Sequence, residues 1–124
     1  MKVVCIIGVG LIGGSFSKDI KEHYPEVKRI GIDQNEDYLK EALSLGVIDE
    51  IGRLEDVAKA DMVFIAIPVD ATLKVLPLVL DHVSAHTVVV DAGSTKASLC
   101  EAVKDHPNRR NYLAAHPIAG TEFS

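Results

Sequence analysis

The sequence predicts an α/β protein built on a doubly wound parallel sheet of about six strands, with helices on both faces. Short apolar segments alternate along the 124 residues with longer segments whose apolar side chains recur at helical spacing. Most of the short segments are apolar almost without interruption, as expected of strands that are buried on both faces. The length is that of one domain, and we expect a single domain over residues 1–124.

The strands are predicted from these apolar segments in chain order. Their expected positions are Val3–Ile7 and residues 30–33, 62–67, 87–91 and 112–115, with a weaker candidate at Val47 and Ile48. Connections between parallel strands cross over the sheet in a right-handed sense, and the intervening helices are expected to cover both of its faces.

The helices are predicted from apolar residues spaced three or four apart. The three clearest sets are Ile12, Phe16 and Ile20; Tyr38, Leu39, Ala42 and Leu43; and Leu73, Leu76 and Leu80. Asn35 is a predicted N-cap and Gly46 a helix stop, and Ser98 with Glu101 has the spacing of a capping box. Pro77 is expected to kink the third helix or to break it near Leu76.

Composition excludes several classes of function. The net charge of −5 argues against a nucleic-acid surface, and the sequence has no run of 18 apolar residues, so we expect no membrane association and a cytoplasmic location. The two cysteines, Cys5 and Cys100, are too far apart for a CxxC motif or a disulfide framework. His82 and His86 have the spacing of a helical metal pair but lack the acidic partner of such motifs, and we expect no metal.

Glycines cluster where the first strand meets the first helix. Gly8, Gly10 and Gly13 form a GxGxxG motif, in which the glycines allow a tight turn, the approach of a pyrophosphate and close packing of helix on strand. Asp33 ends the second strand, 20 positions after Gly13, where a carboxylate can accept hydrogen bonds from an adenosine ribose. The combination predicts a Rossmann-type dinucleotide site; glycines used only for packing, with Asp33 as a turn former, are the alternative.

The charge of Asp33 favours NAD over NADP. A 2′-phosphate would be repelled by this carboxylate, and the following Gln34 and Asn35 provide no arginine, although Lys40 could weaken the preference. Three further segments follow predicted strands and should converge on the same crevice: residues 67–72, 91–96 and 114–122. The expected cofactor-binding residues are Gly8, Gly10, Leu11, Ile12, Gly13, Asp33, Ile67, Pro68 and Val69.

The order of these motifs resembles the nucleotide-binding domain of the prephenate dehydrogenase family, whose arogenate dehydrogenase relatives share the fold. The similarity covers the whole chain and is carried by "GVGLIGGS", Asp33, "IPV", "DAGSTK" and, most specifically, "HPIAGTE". It implies NAD-dependent oxidative decarboxylation of prephenate to 4-hydroxyphenylpyruvate, a step of tyrosine biosynthesis. The small-molecule substrate would be prephenate or arogenate.

The same resemblance implies roles for four residues near the end of the chain. His116 matches the histidine that takes the proton of the ring hydroxyl, a role suited to an imidazole that titrates near neutral pH. Ser94 matches a catalytic serine that lies beside that histidine and the nicotinamide, where its hydroxyl can orient the imidazole and the substrate. Ser94 could instead be an ordinary N-cap, or could serve both roles. Thr121 and Glu122 match residues that line the substrate pocket, although both could also belong to a solvated loop.

The resemblance also implies a helical substrate and dimerisation domain that this chain lacks. The isolated chain is therefore expected to bind NAD but to be inactive or weakly active, and the full-length protein to be a homodimer. Other readings stay open: arogenate as the substrate, a hydroxyacid dehydrogenase or pyrroline carboxylate reductase with the same fold, and a nucleotide-sensing Rossmann module that regulates another protein.

Overall fold

The computed structural model describes residues 1–93 and 96–113, and only the backbone of Lys96. Five strands and four α-helices alternate along the described chain, with short 3-10 helices at Leu54–Lys59 and Arg109–Asn111. The elements are β1 (Val3–Ile7), α1 (Leu11–His23), β2 (Lys28–Ile32), α2 (Glu36–Ser44), β3 (Glu50–Ile51), β4 (Met62–Ile65), α3 (Val69–His82), β5 (Val88–Asp91) and α4 (Lys96–Val103).

The strands form one parallel sheet in the order β3-β2-β1-β4-β5. The predicted α/β class with a parallel sheet is confirmed, but the described residues contain five strands and not six. The expected strand at 112–115 is represented by a single parallel bridge between Val89 and Tyr112 and by the Leu113 N–H, which donates to the Val89 carbonyl at 2.8 Å. Residues 114 and 115 lie outside the described part.

The weak strand predicted at Val47 and Ile48 is also wrong, because sheet pairing begins two residues later, at Glu50. Val47 and Ile48 are buried, but their N–H groups both donate to the carbonyl of Ala42 in α2. Amides that complete the end of a helix cannot also donate to a sheet, so the apolar pair packs without forming a strand.

Helices cover both faces of the sheet, and β1 shows how one strand serves both. Val4 and Ile6 pack on the side of α1 and α2, whereas Cys5 and Ile7 pack on the side of α3 and α4. Alternate side chains of a strand point to opposite faces, so a strand covered on both sides must be apolar throughout. This is why the sequence of β1 shows no alternation.

Two of the predicted helix boundaries agree with the structure. The Asn35 side chain accepts from the N–H groups of Asp37 and Tyr38 at 3.0 and 3.1 Å, and Gly46 follows α2 with φ +74°. The capping box at Ser98 is wrong: α4 begins at Lys96, which places Ser98 inside its first turn, and Glu101 pairs instead with Lys104 at 2.8 Å.

The predicted break near Leu76 is absent as well, since α3 runs without interruption from Val69 to His82 through Pro77. Leu76, Val79 and Leu80 are fully buried against the sheet. We attribute the continuity of the helix to this packing, which offsets the backbone hydrogen bond that the proline removes.

The charged side chain of Arg29 is fully buried and connects three parts of the fold. Arg29, in β2, donates to both carboxylate oxygens of Asp49 at 3.0 and 3.1 Å and to the carbonyls of Gly46 and Val47 at 3.1 and 2.7 Å, and it also contacts Ser17 in α1. The hydrogen bonds from Arg29 to the Asp49 carboxylate lower the pKa of that carboxyl, although its burial acts in the opposite direction. Arg29 therefore ties α1 and β2 to the connection between α2 and β3.

Two expectations about surface chemistry can be compared with the described residues. α3 ends at His82, so His86 is not on the same helix, and its Nε2 lies 3.2 Å from the Asp61 carboxylate. In residues 1–93 and 96–113, no three His, Cys, Asp or Glu side chains are grouped so that they could hold a metal ion. Within the same ranges, no helix has both the length and the apolar character needed to cross a membrane.

Candidate functional site

The strand order places a crevice at the carboxyl ends of β1 and β4. From β1 the chain winds outward through β2 and β3 on one side and through β4 and β5 on the other. Ligands of open α/β sheets bind where the winding direction changes in this way. The segment after β1 begins at Gly8, and the segment after β4 contains Ala66, Ile67 and Pro68.

The turn after β1 requires two of its glycines for steric reasons. Gly8 has φ +95°, and a Cβ at this position would lie 2.5 Å from the Ala66 carbonyl oxygen. A Cβ on Gly13 would overlap the carbonyl oxygen of Gly8. The first and third glycines of the motif are therefore needed for the fold itself, because α1 packs directly on the turn.

Gly10 differs, because a Cβ there would have nothing within 4 Å. It is the N-cap of α1 and has an ordinary φ of −73°. The first N–H groups of an α-helix have no partner within the helix, and the described first turn of α1 contains no acidic residue. Open space beside unpaired amides at the positive end of a helix suits a pyrophosphate, so these residues fit a dinucleotide.

Asp33 lies one residue beyond β2, at the same edge of the sheet. Its Oδ2 accepts from the Val9 N–H at 3.0 Å, and its Oδ1 accepts from the Asn35 N–H at 2.9 Å. A carboxylate has about four acceptor positions, so both oxygens retain the capacity to accept from a ribose hydroxyl. The carboxylate thus links the glycine turn to the end of β2 and remains able to bind a ligand.

The crevice has two parts, which share Ile67 and Pro68. The part beside Asp33 has a volume of about 460 Å³ and is otherwise mostly apolar, with lining residues that include Gly8, Leu54, Ala71, Val75 and Leu78. The part beside the start of α1 has a volume of about 590 Å³ and is lined by Leu11, Ile12, Ala66, Val69, Ala92 and Gly93 as well as the shared pair.

Both parts suit the two ends of a dinucleotide. Leu11 and Ile12 are 88% and 60% exposed, which is unusual for large apolar side chains beside a glycine turn and leaves their surfaces available to a ring.

Ile67 and Pro68, which line both parts of the crevice, are held by the buried Thr72. The Thr72 hydroxyl oxygen lies 3.1 Å from the carbonyl oxygens of both residues.

A buried polar pair lies behind the second part of the crevice. The Tyr112 hydroxyl donates to Asp91 Oδ1 at 2.7 Å, and the Gly93 N–H donates to Asp91 Oδ2 at 2.8 Å. Burial, together with the hydrogen bond to Asp91 and its charge, raises the pKa of Tyr112 well above its usual range, so the proton stays on the phenol. The sequence analysis missed this pair.

The structure brings most of the predicted cofactor-binding residues together around one crevice. Gly8, Leu11, Ile12 and Asp33 line it from the segments after β1 and β2, and Ile67, Pro68 and Val69 line it from the segment after β4. Gly10 borders the neighbouring surface beside Tyr38 and Glu41, and Gly13 packs against the glycine turn itself.

Ala71, Ala92 and Gly93, which also line the crevice, lie in the segments 67–72 and 91–96 that were expected to converge there. Leu54, Val75 and Leu78 were not predicted, since isolated apolar residues in helices carry no local signal of a ligand site. The predicted catalytic and substrate residues Ser94, His116, Thr121 and Glu122 lie outside the described residues.

A parallel sheet with a glycine turn, an open helix N-terminus and an acid after the second strand defines a dinucleotide-binding domain of the Rossmann type. Residues 16–124 match the family model described as "Prephenate dehydrogenase, nucleotide-binding domain". The chain belongs to this family, which confirms the resemblance found in the sequence.

Comparison with individual proteins gives the same family. The chain is 36% identical to the prephenate dehydrogenase of Bacillus subtilis (strain 168), over 98% of this chain and 34% of that protein. It is similar to the A. aeolicus prephenate dehydrogenase solved with hydroxyphenyl propionate and NAD+, with 30% identity, a TM-score of 0.81, and coverage of 98% of this chain and 43% of that one.

An arogenate dehydrogenase of Synechocystis is also similar, with 26% identity and a TM-score of 0.75 over 82% of this chain and 37% of that one. The chain thus spans 34 to 42% of the length of the curated relatives that it matches.

Proposed function

We propose that this chain is the NAD-binding part of a prephenate dehydrogenase. The observation that carries the proposal is the crevice lined by Gly8 and Asp33 beside the start of α1, where Gly10 has an open side, in a chain that belongs to this family. The amides at the start of α1 would bind the pyrophosphate, and Asp33 would accept hydrogen bonds from the adenosine ribose. The part of the crevice beside Asp33 would hold the adenine, and the part lined by Leu11 and Ile12 the nicotinamide.

NAD rather than NADP is the proposed cofactor. Asp33 would repel a 2′-phosphate, and the next two residues, Gln34 and Asn35, carry no positive charge to offset this repulsion. The A. aeolicus relative was solved with NAD+, which supports the same choice.

The proposed reaction is the oxidative decarboxylation of prephenate, in which bound NAD+ supplies the hydride acceptor. His116 would take the proton of the ring hydroxyl as hydride leaves the same carbon, and Ser94 would orient the imidazole and the substrate. Loss of carbon dioxide then makes the ring aromatic. Thr121 and Glu122 would contact the substrate. These four assignments rest on the match to "DAGSTK" and "HPIAGTE".

We propose that the rest of the active site comes from a helical domain in the remaining length of the enzyme, since this chain spans 34 to 42% of the curated relatives. We propose that this domain binds the substrate carboxylate and forms a homodimer, and that the whole enzyme is cytoplasmic. Arogenate is the alternative substrate, and the similarity to the Synechocystis arogenate dehydrogenase supports testing it.

The direct test is to express the uninterrupted gene product and to follow NADH absorbance with prephenate and with arogenate separately. Reduction of NAD+ with either substrate would establish the reaction and identify the substrate. NADH binding without turnover of either would refute the proposed dehydrogenase and would favour a nucleotide-sensing module.

Replacement of His116 separates these two classes further. His116→Asn should lower kcat by a factor of roughly 100 to 10,000 while leaving the affinity for NADH unchanged, because a general base acts in the chemical step. His23→Asn, at an exposed position at the end of α1, is the matched control and should retain the wild-type rate. A rate unaffected by His116→Asn would exclude the proposed base.

A further inference from the structure

Tyr112 and Asp91 form a buried hydrogen bond between the end of β5 and the segment that pairs with this strand. Their relative exposures are 2% and 3%, and the hydroxyl oxygen lies 2.7 Å from the carboxylate. Asp91 is the last residue of β5, and Tyr112 pairs with β5 through the bridge to Val89. The two residues therefore lie on adjacent parallel segments that run toward the same edge of the sheet.

The position of the Tyr112 ring is fixed by contacts on several sides. Its N–H donates to the Arg109 carbonyl at 3.0 Å, and its own carbonyl accepts from the Arg109 guanidinium at 2.9 Å. The same guanidinium lies 5.3 Å from the centre of the ring. A ring held by both its backbone and its face can keep its hydroxyl at one position.

Asp91 connects the Tyr112 hydroxyl to the backbone that lines the crevice. Its second carboxylate oxygen accepts from the Gly93 N–H at 2.8 Å, and the intervening Ala92 donates to the Ile65 carbonyl at 2.9 Å. Ala92 and Gly93 line the part of the crevice beside Leu11 and Ile12. The Tyr112 hydroxyl is thus connected through one carboxylate to the backbone that forms the crevice.

Packing alone does not require these polar groups. A phenylalanine would fill nearly the same volume as Tyr112, and burying a hydroxyl and a carboxylate costs free energy unless both are hydrogen-bonded. A buried polar pair of this kind sets a specific geometry, which an apolar contact would leave less defined.

We propose that Asp91 and Tyr112 are positioning residues for the hydride-transfer reaction. This role rests on the proposed function: Asp91 and Tyr112 fix the spacing between the segment leaving β5 and the segment following Tyr112. In the sequence, Ser94 immediately follows Gly93, and His116 lies four residues after Tyr112. Neither Asp91 nor Tyr112 is assigned a contact with substrate; both act through the segments that they hold.

The test uses the uninterrupted gene product with Tyr112→Phe, Asp91→Ala and the double substitution. Tyr24→Phe, at a tyrosine that is 51% exposed, is the matched control. For each variant, the number of NADH sites and their Kd are measured by fluorescence titration, and kcat is expressed per NADH site. KM for NAD+ and for the substrate is determined alongside.

Tyr112→Phe should lower kcat per site by roughly ten- to a hundredfold, because small displacements of reacting groups have effects of this size. The Kd for NADH should stay within about twofold of the wild type. The double variant should be no slower than the slower single variant, since each single substitution already removes the hydrogen bond between Tyr112 and Asp91. Tyr24→Phe should match the wild type.

Three results would overturn the proposal. They are an unchanged kcat per site in Tyr112→Phe, additive effects of the two substitutions, and a rate loss explained entirely by fewer NADH sites. The last would mean that the pair only stabilises the fold. A wild-type protein that oxidises neither prephenate nor arogenate would refute the proposed function and the role of the pair with it, whereas the other results refute the pair alone.

Discussion

Replacing Gly10 by alanine should separate ligand binding from folding. A Cβ at Gly10 meets nothing within 4 Å and φ is −73°, so the folded chain has room for the methyl group. We expect the free energy of unfolding to change by less than about 1 kcal/mol, the scale of an N-cap substitution. The methyl group would occupy the space through which a pyrophosphate approaches the amides of α1.

The expected loss of affinity follows from the hydrogen bonds involved. A hydrogen bond to a charged group contributes about 1.5 to 3 kcal/mol, so losing one amide contact should weaken NADH binding by roughly 10- to 150-fold. The assay is a fluorescence titration of the chain with NADH, accompanied by thermal unfolding of the same samples.

Gly14→Ala is the control, because it adds the same methyl group one turn further along α1. There the Cβ would lie 3.7 Å from its nearest neighbours, an ordinary contact, and alanine should stabilise the helix by about 0.5 to 1 kcal/mol. Its NADH affinity should equal that of the wild type. If Gly10→Ala bound NADH as tightly as Gly14→Ala, the proposed path of the pyrophosphate would be wrong.

Four further outcomes are expected. Asp33→Asn should weaken NADH binding and raise the affinity for NADPH relative to NADH by roughly tenfold, because it removes the charge that repels a 2′-phosphate. Parallel titrations with both cofactors check this prediction. An unchanged ratio of the two dissociation constants would contradict it. Arg29→Met should lower the free energy of unfolding in urea by about 2 to 3 kcal/mol, since it leaves buried carbonyls unpaired, whereas Lys28→Met, which removes an exposed ion pair, should hardly move the midpoint. The folded-state pKa of Asp49 is depressed, so its contribution to stability is present above the unfolded-state pKa of 3.8 and is lost as pH falls through the lower folded-state pKa. Below about pH 4 the urea midpoint of the wild type should therefore fall more steeply with decreasing pH than that of Asp49→Asn. Parallel slopes of the two midpoints against pH would count against the ion pair. Burial, reinforced by the charge of Asp56, raises the pKa of Cys5 to about 12. A thiol reagent at neutral pH should therefore modify Cys100 but not Cys5 until the chain is unfolded. Equal reaction of both cysteines would show that β1 opens readily.

The sequence was sufficient where the signal is local. The strand Val3–Ile7, the glycine turn and Asp33 could be predicted because a nearly continuous apolar segment, a fixed glycine spacing and one acid at a set distance lie within 33 residues. The structure then separates Gly8 and Gly13, which the fold needs, from Gly10, whose open side suits a ligand.

Pairings between distant residues could not be predicted in this way. Arg29 and Asp49 are 20 positions apart, and Asp91 and Tyr112 are 21 apart; nothing in the sequence around either member indicates its partner. A charged residue such as Arg29 in the middle of a strand would ordinarily be placed at the surface. Burial becomes possible only because the fold brings enough acceptors to satisfy its guanidinium.

The contacts of Arg29 also restrict how the chain can change length. Gly46, Val47 and Asp49 lie in the five-residue connection between α2 and β3, and all three supply acceptors to the same guanidinium. One residue inserted or deleted there would move at least one acceptor out of reach while the arginine stayed buried. In the turn between α1 and β2, Tyr24 to Glu26 are exposed and only Val27 is buried, so its length is less restricted. Relatives of this domain should therefore vary in length before β2 far more readily than before β3, so that a single buried side chain determines which surface loop is free to evolve.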